Sequence, residues 1–144
     1  MARYSAGVRT GAGSTSLPII SLYAAAAVGG TIREIGVFNT TTTAVAIEVV
    51  RLSTTGTQGA GLTEAEHDPP QATASCTGFT THTVTATSTS LGYRTVLGAA
   101  IGSGIIWTFG DTGLRIEVGT GNGIGVQVAT GTGQVCDAYI VWDE

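Results

Sequence analysis

The chain has 144 residues, 42% of them hydrophobic and only 11% charged, with a net charge of −4. All six basic residues are arginines scattered along the chain (3, 9, 33, 51, 94 and 115), so the counterion release that drives nucleic-acid binding is missing and no nucleic-acid partner is expected. High hydrophobicity with low charge excludes a disordered chain, and the length predicts one domain that can bury a core without a metal or disulfide.

Residues 1–16 (MARYSAGVRTGAGSTS) show no usable period, and Gly7, Gly11 and Gly13 oppose a helix. The expectation is a flexible N-terminal arm over 1–16, extended from a single β-sandwich domain over 17–144. Arg3, Tyr4 and Arg9 are the large groups with which the arm would order on a neighbouring subunit. Met1-Ala-Arg-Tyr lacks the apolar core of a secretion signal, and the apolar run Leu17–Val28 falls short of the ~20 residues that cross a bilayer. No membrane partner is expected.

Leu17–Tyr23 reads as a strand, with Pro18 at a tolerated first or edge position. Thr31–Leu52 is the longest β signal. Ile35 and Val37 precede the polar tip Asn39–Thr43; Val45, Ile47 and Val49 follow it with a two-residue period. The pattern predicts a β-hairpin. Val50 and Leu52 fall on the face opposite Val45, Ile47 and Val49, which requires a bulge near Glu48 or burial on both sides by a covering element or a partner subunit. Ser53–Ser75 is a long irregular connection, with a short helical turn expected at Leu62–His67 before Asp68-Pro69-Pro70. A loop of that length is expected to serve function or an interface.

Phe79–Thr89, Leu91–Leu97, Ile105–Phe109, Leu114–Val118, Ile124–Ala129 and Val135–Trp142 complete eight to nine short strands, and the glycine-rich segments at 119–125 and 131–133 read as tight hairpins. The class is all-β: a jelly-roll-like antiparallel β-sandwich of about eight strands, because the long middle connection suits a Greek-key crossover.

Chemistry-bearing motifs are sparse. Asp111-Thr112-Gly113 matches the tripeptide of aspartic proteases, but Gly110 stands where an apolar residue precedes it in that family and the downstream apolar segment is missing, so it reads as a turn. His67 lies in an acidic loop with Glu64, Glu66 and Asp68. His82 sits among threonines and is expected to face solvent or a subunit. Without lysine no phosphate loop can form. Cys76 and Cys136 are expected to be buried free thiols rather than a disulfide. No catalytic, metal or cofactor residues are assigned, and the chain is not expected to be an enzyme. Trp107 is expected in the core and Trp142 near the surface, where it could serve a sugar-binding platform.

The segments ISLYAAAAVGGTIREIGVFNTTTTAVAIEVVRL and GSGIIWTFGDTGLRIEVGTGNGIGV and the ending YIVWDE resemble small all-β virion proteins of tailed bacteriophages and actinobacterial prophages. The resemblance implies a structural component that decorates or cements a capsid, with a phage tail or fibre component or a carbohydrate-binding β-sandwich module as the alternatives. It implies a virion location after assembly in the host cytoplasm, and two partners: the chain itself, as a dimer or trimer, and a major capsid protein. Arg3, Tyr4, Arg9, Val50, Leu52 and Trp142 are the candidate interface residues, and no cofactor is implied.

Overall fold

The computed structural model describes all of residues 1–144. It contains no helix and eleven strands: β1 (Arg3–Arg9), β2 (Pro18–Tyr23), β3 (Gly30–Asn39), β4 (Val45–Leu52), β5 (Ala65–Glu66), β6 (Thr77–Thr80), β7 (Ser88–Leu97), β8 (Gly104–Thr108), β9 (Leu114–Ile116), β10 (Gly123–Thr130) and β11 (Cys136–Asp143). They form two antiparallel sheets packed as a β-sandwich. The six-stranded sheet has the order β5-β1-β11-β3-β8, with β9 also on β3; the five-stranded sheet has the order β6-β2-β10-β4-β7. The expected eight to nine strands fall short because β1 and β5 carry weak patterns, and the strand expected over Phe79–Thr89 is only the end of β6 and the start of β7, with residues 81–87 outside both.

The core lies between the sheets. Ile35 and Val37 of β3, Ala138 and Ile140 of β11, and Tyr4 and Ala6 of β1 point into it from one side. Ile20 and Leu22 of β2, Val45, Ile47 and Val49 of β4, and Ile124, Val126 and Val128 of β10 meet them from the other. These inward residues follow the two-residue period of their strands, which gives each sheet one dry face.

Three local expectations are corrected. First, residues 1–16 are not a flexible arm. Arg3–Arg9 is a sheet strand, paired along its length with β11 and at Tyr4 and Ser5 with β5. Its inward residues earn that place: Tyr4 is 2% exposed, stacks on Trp142 at 5.7 Å, and donates its hydroxyl to the Ala72 carbonyl at 2.6 Å. Second, Thr31–Leu52 is not a hairpin. β3 pairs with β11, β8 and β9, whereas β4 pairs with β10 and β7. The Thr40–Ala44 tip is an arch between the sheets, and the glycine-rich connections after β9 and β10 likewise carry the chain across the sandwich rather than around a hairpin. Third, Leu62–His67 contains the short strand β5 and no helical turn.

Asn39 holds the arch. Its fully buried side chain donates to the carbonyls of Thr43 (2.7 Å) and Gly98 (3.0 Å), and its Oδ1 accepts from the Thr41 amide (2.9 Å) and hydroxyl (2.8 Å). A polar group sealed from water needs this many partners.

The doubled apolar character of β4 has a cause within the chain. The β4–β7 ladder shifts register between Glu48 and Val50, the expected bulge. Val50 and Leu52 are buried beneath the chain's own 53–87 segment, in a cluster with Tyr23, Ala86 and Phe79. Tyr23 donates to the Thr54 carbonyl, and Ser53 and Thr87 join the ends of the segment by a 3.0 Å backbone bond. The parts of the middle connection that flank β5 and β6, residues 53–58 and 81–87, bond to each other and form a lid over the Val50–Leu52 end of the outer face of the five-stranded sheet.

Candidate interaction surfaces

The five-stranded sheet has one end of its outer face covered; the outer face of the other sheet is bare. On the six-stranded sheet the outward residues line up in three rows across β1, β11, β3 and β8. Arg9, Asp137, Phe38 and Gly104 form the first; Gly7, Tyr139, Gly36 and Ile106 the second; Ser5, Val141, Glu34 and Thr108 the third. In the second row glycines alternate with large side chains, and in the first Phe38 stands beside Gly104. The Tyr139 ring rests over Gly36, and the Phe38 ring over Gly104; a Cβ at either glycine would overlap the ring. The rings therefore lie along the sheet instead of standing on it, and the face has little relief.

The charged groups of this face are two Arg–Asp clusters at its ends and Glu34 in the third row. At one end Arg9 grips Asp137 with two contacts, at 2.8 and 2.9 Å. At the other, Asp143 accepts from Arg3 (2.7 and 3.1 Å) and from Arg33 (2.6 Å). The hydrogen bond from Arg3, joined by that from Arg33, holds the Asp143 carboxyl below its ordinary range. In the middle, Tyr139 donates to Glu34 at 2.6 Å; burial first, then this bond, pushes its phenol up to about 12. Apart from Glu34, which Tyr139 holds, the second and third rows are uncharged and the ends are charged, as in the surfaces by which proteins associate.

The structure separates the six candidate interface residues. Arg3 and Arg9 are exposed and pair with aspartates of β11. Tyr4, Val50, Leu52 and Trp142 are all buried within the chain, so none of the four reaches a partner. Trp142 was expected near the surface; it is fully buried because it follows Ala138 and Ile140 on the inward face of β11, and its indole donates to Glu144 at 3.2 Å. Trp107 is half-buried against the core. Sequence reasoning missed Phe38, Tyr139, Val141 and Ile106. Their signal was a period of two in β3, β8 and β11 whose outward members are themselves large and apolar.

The remaining motifs are structural. Asp111-Thr112-Gly113 is an exposed turn between β8 and β9, tied down by Arg33, which donates to the Gly110 and Asp111 carbonyls. His67 is exposed, and its amide donates to the Arg3 carbonyl; Glu64 turns away to accept from the Gly78 amide. No group of three or more His, Cys, Asp or Glu side chains is placed to hold a metal ion. His82 does not face solvent: it is 1% exposed on the inner side of the lid, with Nε2 2.9 Å from Ser21 Oγ and its ring stacked on Tyr23. Its Nδ1 has no partner, and desolvation lowers its pKa. The Ser21–His82 pair lacks the third, orienting group and the access to substrate that a nucleophilic site needs.

Cys76 and Cys136 are buried free thiols. Burial, with Glu144 adding to it at Cys76, pushes them up to about 12 and about 11. No helix is long and apolar enough to cross a membrane. No family model, curated protein or solved structure matches the chain.

Proposed function

We propose that this protein is a non-enzymatic structural component of a virion that decorates or cements a bacteriophage capsid through subunit contacts. The observation that carries the reading is the contrast between the two outer faces. The chain folds part of its longest connection over the Val50–Leu52 end of one sheet and leaves the other sheet bare, flattened by Tyr139 and Phe38 over glycines and with Arg–Asp pairs at its two ends. Four strands about 4.8 Å apart and some six residues long give this face roughly 400 Å². That is about half of what one partner contributes to a stable pairwise interface. A surface of this size works where many copies sit side by side and each contact is reinforced by its neighbours, as in a shell.

The sandwich is further inferred to be a jelly roll. Leaving out the short strands β5, β6 and β9, the orders β1-β11-β3-β8 and β2-β10-β4-β7 are those that two nested Greek keys produce. Jelly rolls recur in capsid proteins and in lectins, so the fold supports the reading without selecting it.

The test is the composition of purified particles from the phage or prophage that encodes the chain. A fixed copy number per particle is expected, and a Val141→Glu change, which puts a charge in the centre of the bare face, is expected to leave the chain folded and unattached. Absence of the chain from purified particles would sink the proposal.

Tyr139 favours a second reading as a carbohydrate-binding module. A half-buried ring lying along an open sheet face, with Glu34 and Asp137 beside it, can stack on a sugar. Trp142 cannot take that part, since it is sealed in the core. Glycan-array signal that disappears on Tyr139→Ala would support this reading over the first.

A further inference from the structure

Of the seven large apolar side chains that stand exposed, Tyr93, Val96, Ile101 and Ile106 lie on β7, β8 and the turn joining them. β7 and β8 are the edge strands of the two sheets at the same side of the sandwich. Edges are where sheets pair with other sheets, and proteins usually blunt them with charge, proline, a bulge or brevity. The opposite edges are short: β5 has two residues and β6 four. β7 is bulged, because Leu91, Gly92 and Tyr93 stand opposite Val49 alone, with Gly92 at φ +85°. β9 carries Arg115. β8 has none of these devices. From Gly98 to Gly110 there is no charged residue and no proline.

The backbone of β8 is presented for pairing. Phe109 donates to the Arg33 carbonyl and Asn39 to the Ser103 carbonyl. By the alternation of an antiparallel ladder, the odd residues of β8 bond to β3, while Gly104, Ile106 and Thr108 turn their N–H and C=O groups to the free edge.

We propose that β8 is a self-association site, where two copies pair β8 to β8 antiparallel about a two-fold axis through Ile106. This rests on the reading of the chain as an assembly protein and names the contact between copies. Ile106 meets its own copy, and Gly104 meets Thr108, with about six backbone hydrogen bonds between the strands. On the inner face Ile105 meets Trp107 of the second copy, an aromatic and β-branched cross-strand pair. The lack of charge singles out a second copy as occupant. In a two-fold pairing each side chain meets itself or a symmetric neighbour, so any charge near the axis would face its like. The 98–110 stretch has none. Pairing joins two six-stranded sheets into one and makes their bare faces continuous.

Multi-angle light scattering of the purified chain across the micromolar-to-millimolar range tests this, together with two cysteine variants. The wild type is expected to be a dimer at high concentration, and Ile106→Lys a monomer throughout with an unchanged circular dichroism spectrum. Ile106→Cys is expected to form a disulfide-linked dimer on mild oxidation, because a bonded antiparallel pair sets the Cα atoms about 5.5 Å apart. Thr108→Cys, whose partner is Gly104, is not; the native thiols are buried and protonated. A monomeric wild type whose Ile106→Lys variant falls off particles would mean that the edge binds a different protein, and overturns self-pairing. Oligomers that survive Ile106→Lys overturn this edge while leaving the assembly reading standing. Equal cross-linking of both cysteine variants overturns the register.

Discussion

Tyr139 and Gly36 share one side chain's worth of space: the ring of the first fills the volume that a Cβ on the second would need. Gly36→Ala is therefore expected to lift the ring and break its bond to Glu34. The cost should be about 1–3 kcal/mol, typical of overpacking. Tyr139→Phe, which keeps the ring and loses only the bond, should cost about 1 kcal/mol. Urea denaturation of the two variants distinguishes the contributions.

Asn39 is a single point of failure for the inter-sheet arch. Asn39→Ala removes four hydrogen bonds at once and leaves the carbonyls of Thr43 and Gly98 without these donors. A loss of about 2–4 kcal/mol is expected, read as a lower denaturant midpoint. Hydrogen exchange should speed up first at Thr41, whose amide Asn39 Oδ1 holds. A variant as stable as the wild type would show that the arch is held by β3 and β4 alone.

His82 makes the lid sensitive to mild acid. Its pKa is lowered in the folded state, so between the unfolded value near 6.5 and the folded value the unfolded chain binds the extra proton. Stability is thus full above about pH 6.5 and falls as the pH drops below it. Denaturation midpoints at about pH 7.5 and about pH 5.5 should differ for the wild type and differ less for His82→Gln. His67 is present in both proteins and cancels from the comparison.

The Asp143 carboxylate joins β11 to β1 and β3 through Arg3 and Arg33. Asp143→Asn is expected to cost about 1–3 kcal/mol at neutral pH, less than a sealed ion pair because Arg3 is half exposed. The folded carboxyl lies below its ordinary range, so this stabilisation is present above the unfolded pKa near 4 and disappears as the pH falls through the folded value. Asp137→Asn, at the exposed Arg9 pair, should leave stability almost unchanged. An acid unfolding transition that does not move in Asp143→Asn would refute the role given to this residue.

Strands were more legible than their partners. The period of two in β4 places Val45, Ile47 and Val49 in the core, and the excess of Val50 and Leu52 announces a bulge and a cover. Nothing in that period says whether the next strand lies beside it or across the sandwich, and for β3 and β4 the shorter route was the wrong one. β1 was obscured by Gly7, Gly11 and Gly13, although Tyr4, Ala6 and Val8 alternate with polar or small residues. Trp142 was misjudged from its nearness to the last residue rather than from its phase with Ala138 and Ile140. The bare face was invisible in the sequence for a plainer reason: a row such as Gly7, Tyr139, Gly36 and Ile106 exists only once the register of four distant strands is known.

That same register has a bearing on how the protein is made. No strand pairs with the one next to it in sequence. β10 stands between β2 and β4, and β11 between β1 and β3, so each sheet is missing a central member until the last quarter of the chain has been synthesised. A nascent chain stopped at Thr112 holds flanks with no middle, and its apolar strand faces have nothing to close on. Such wholly non-local pairing folds slowly and exposes sticky intermediates. The sandwich can close only once β10 and β11 are present, and shortening the chain from the C-terminal side removes the middle of the sandwich rather than its fringe.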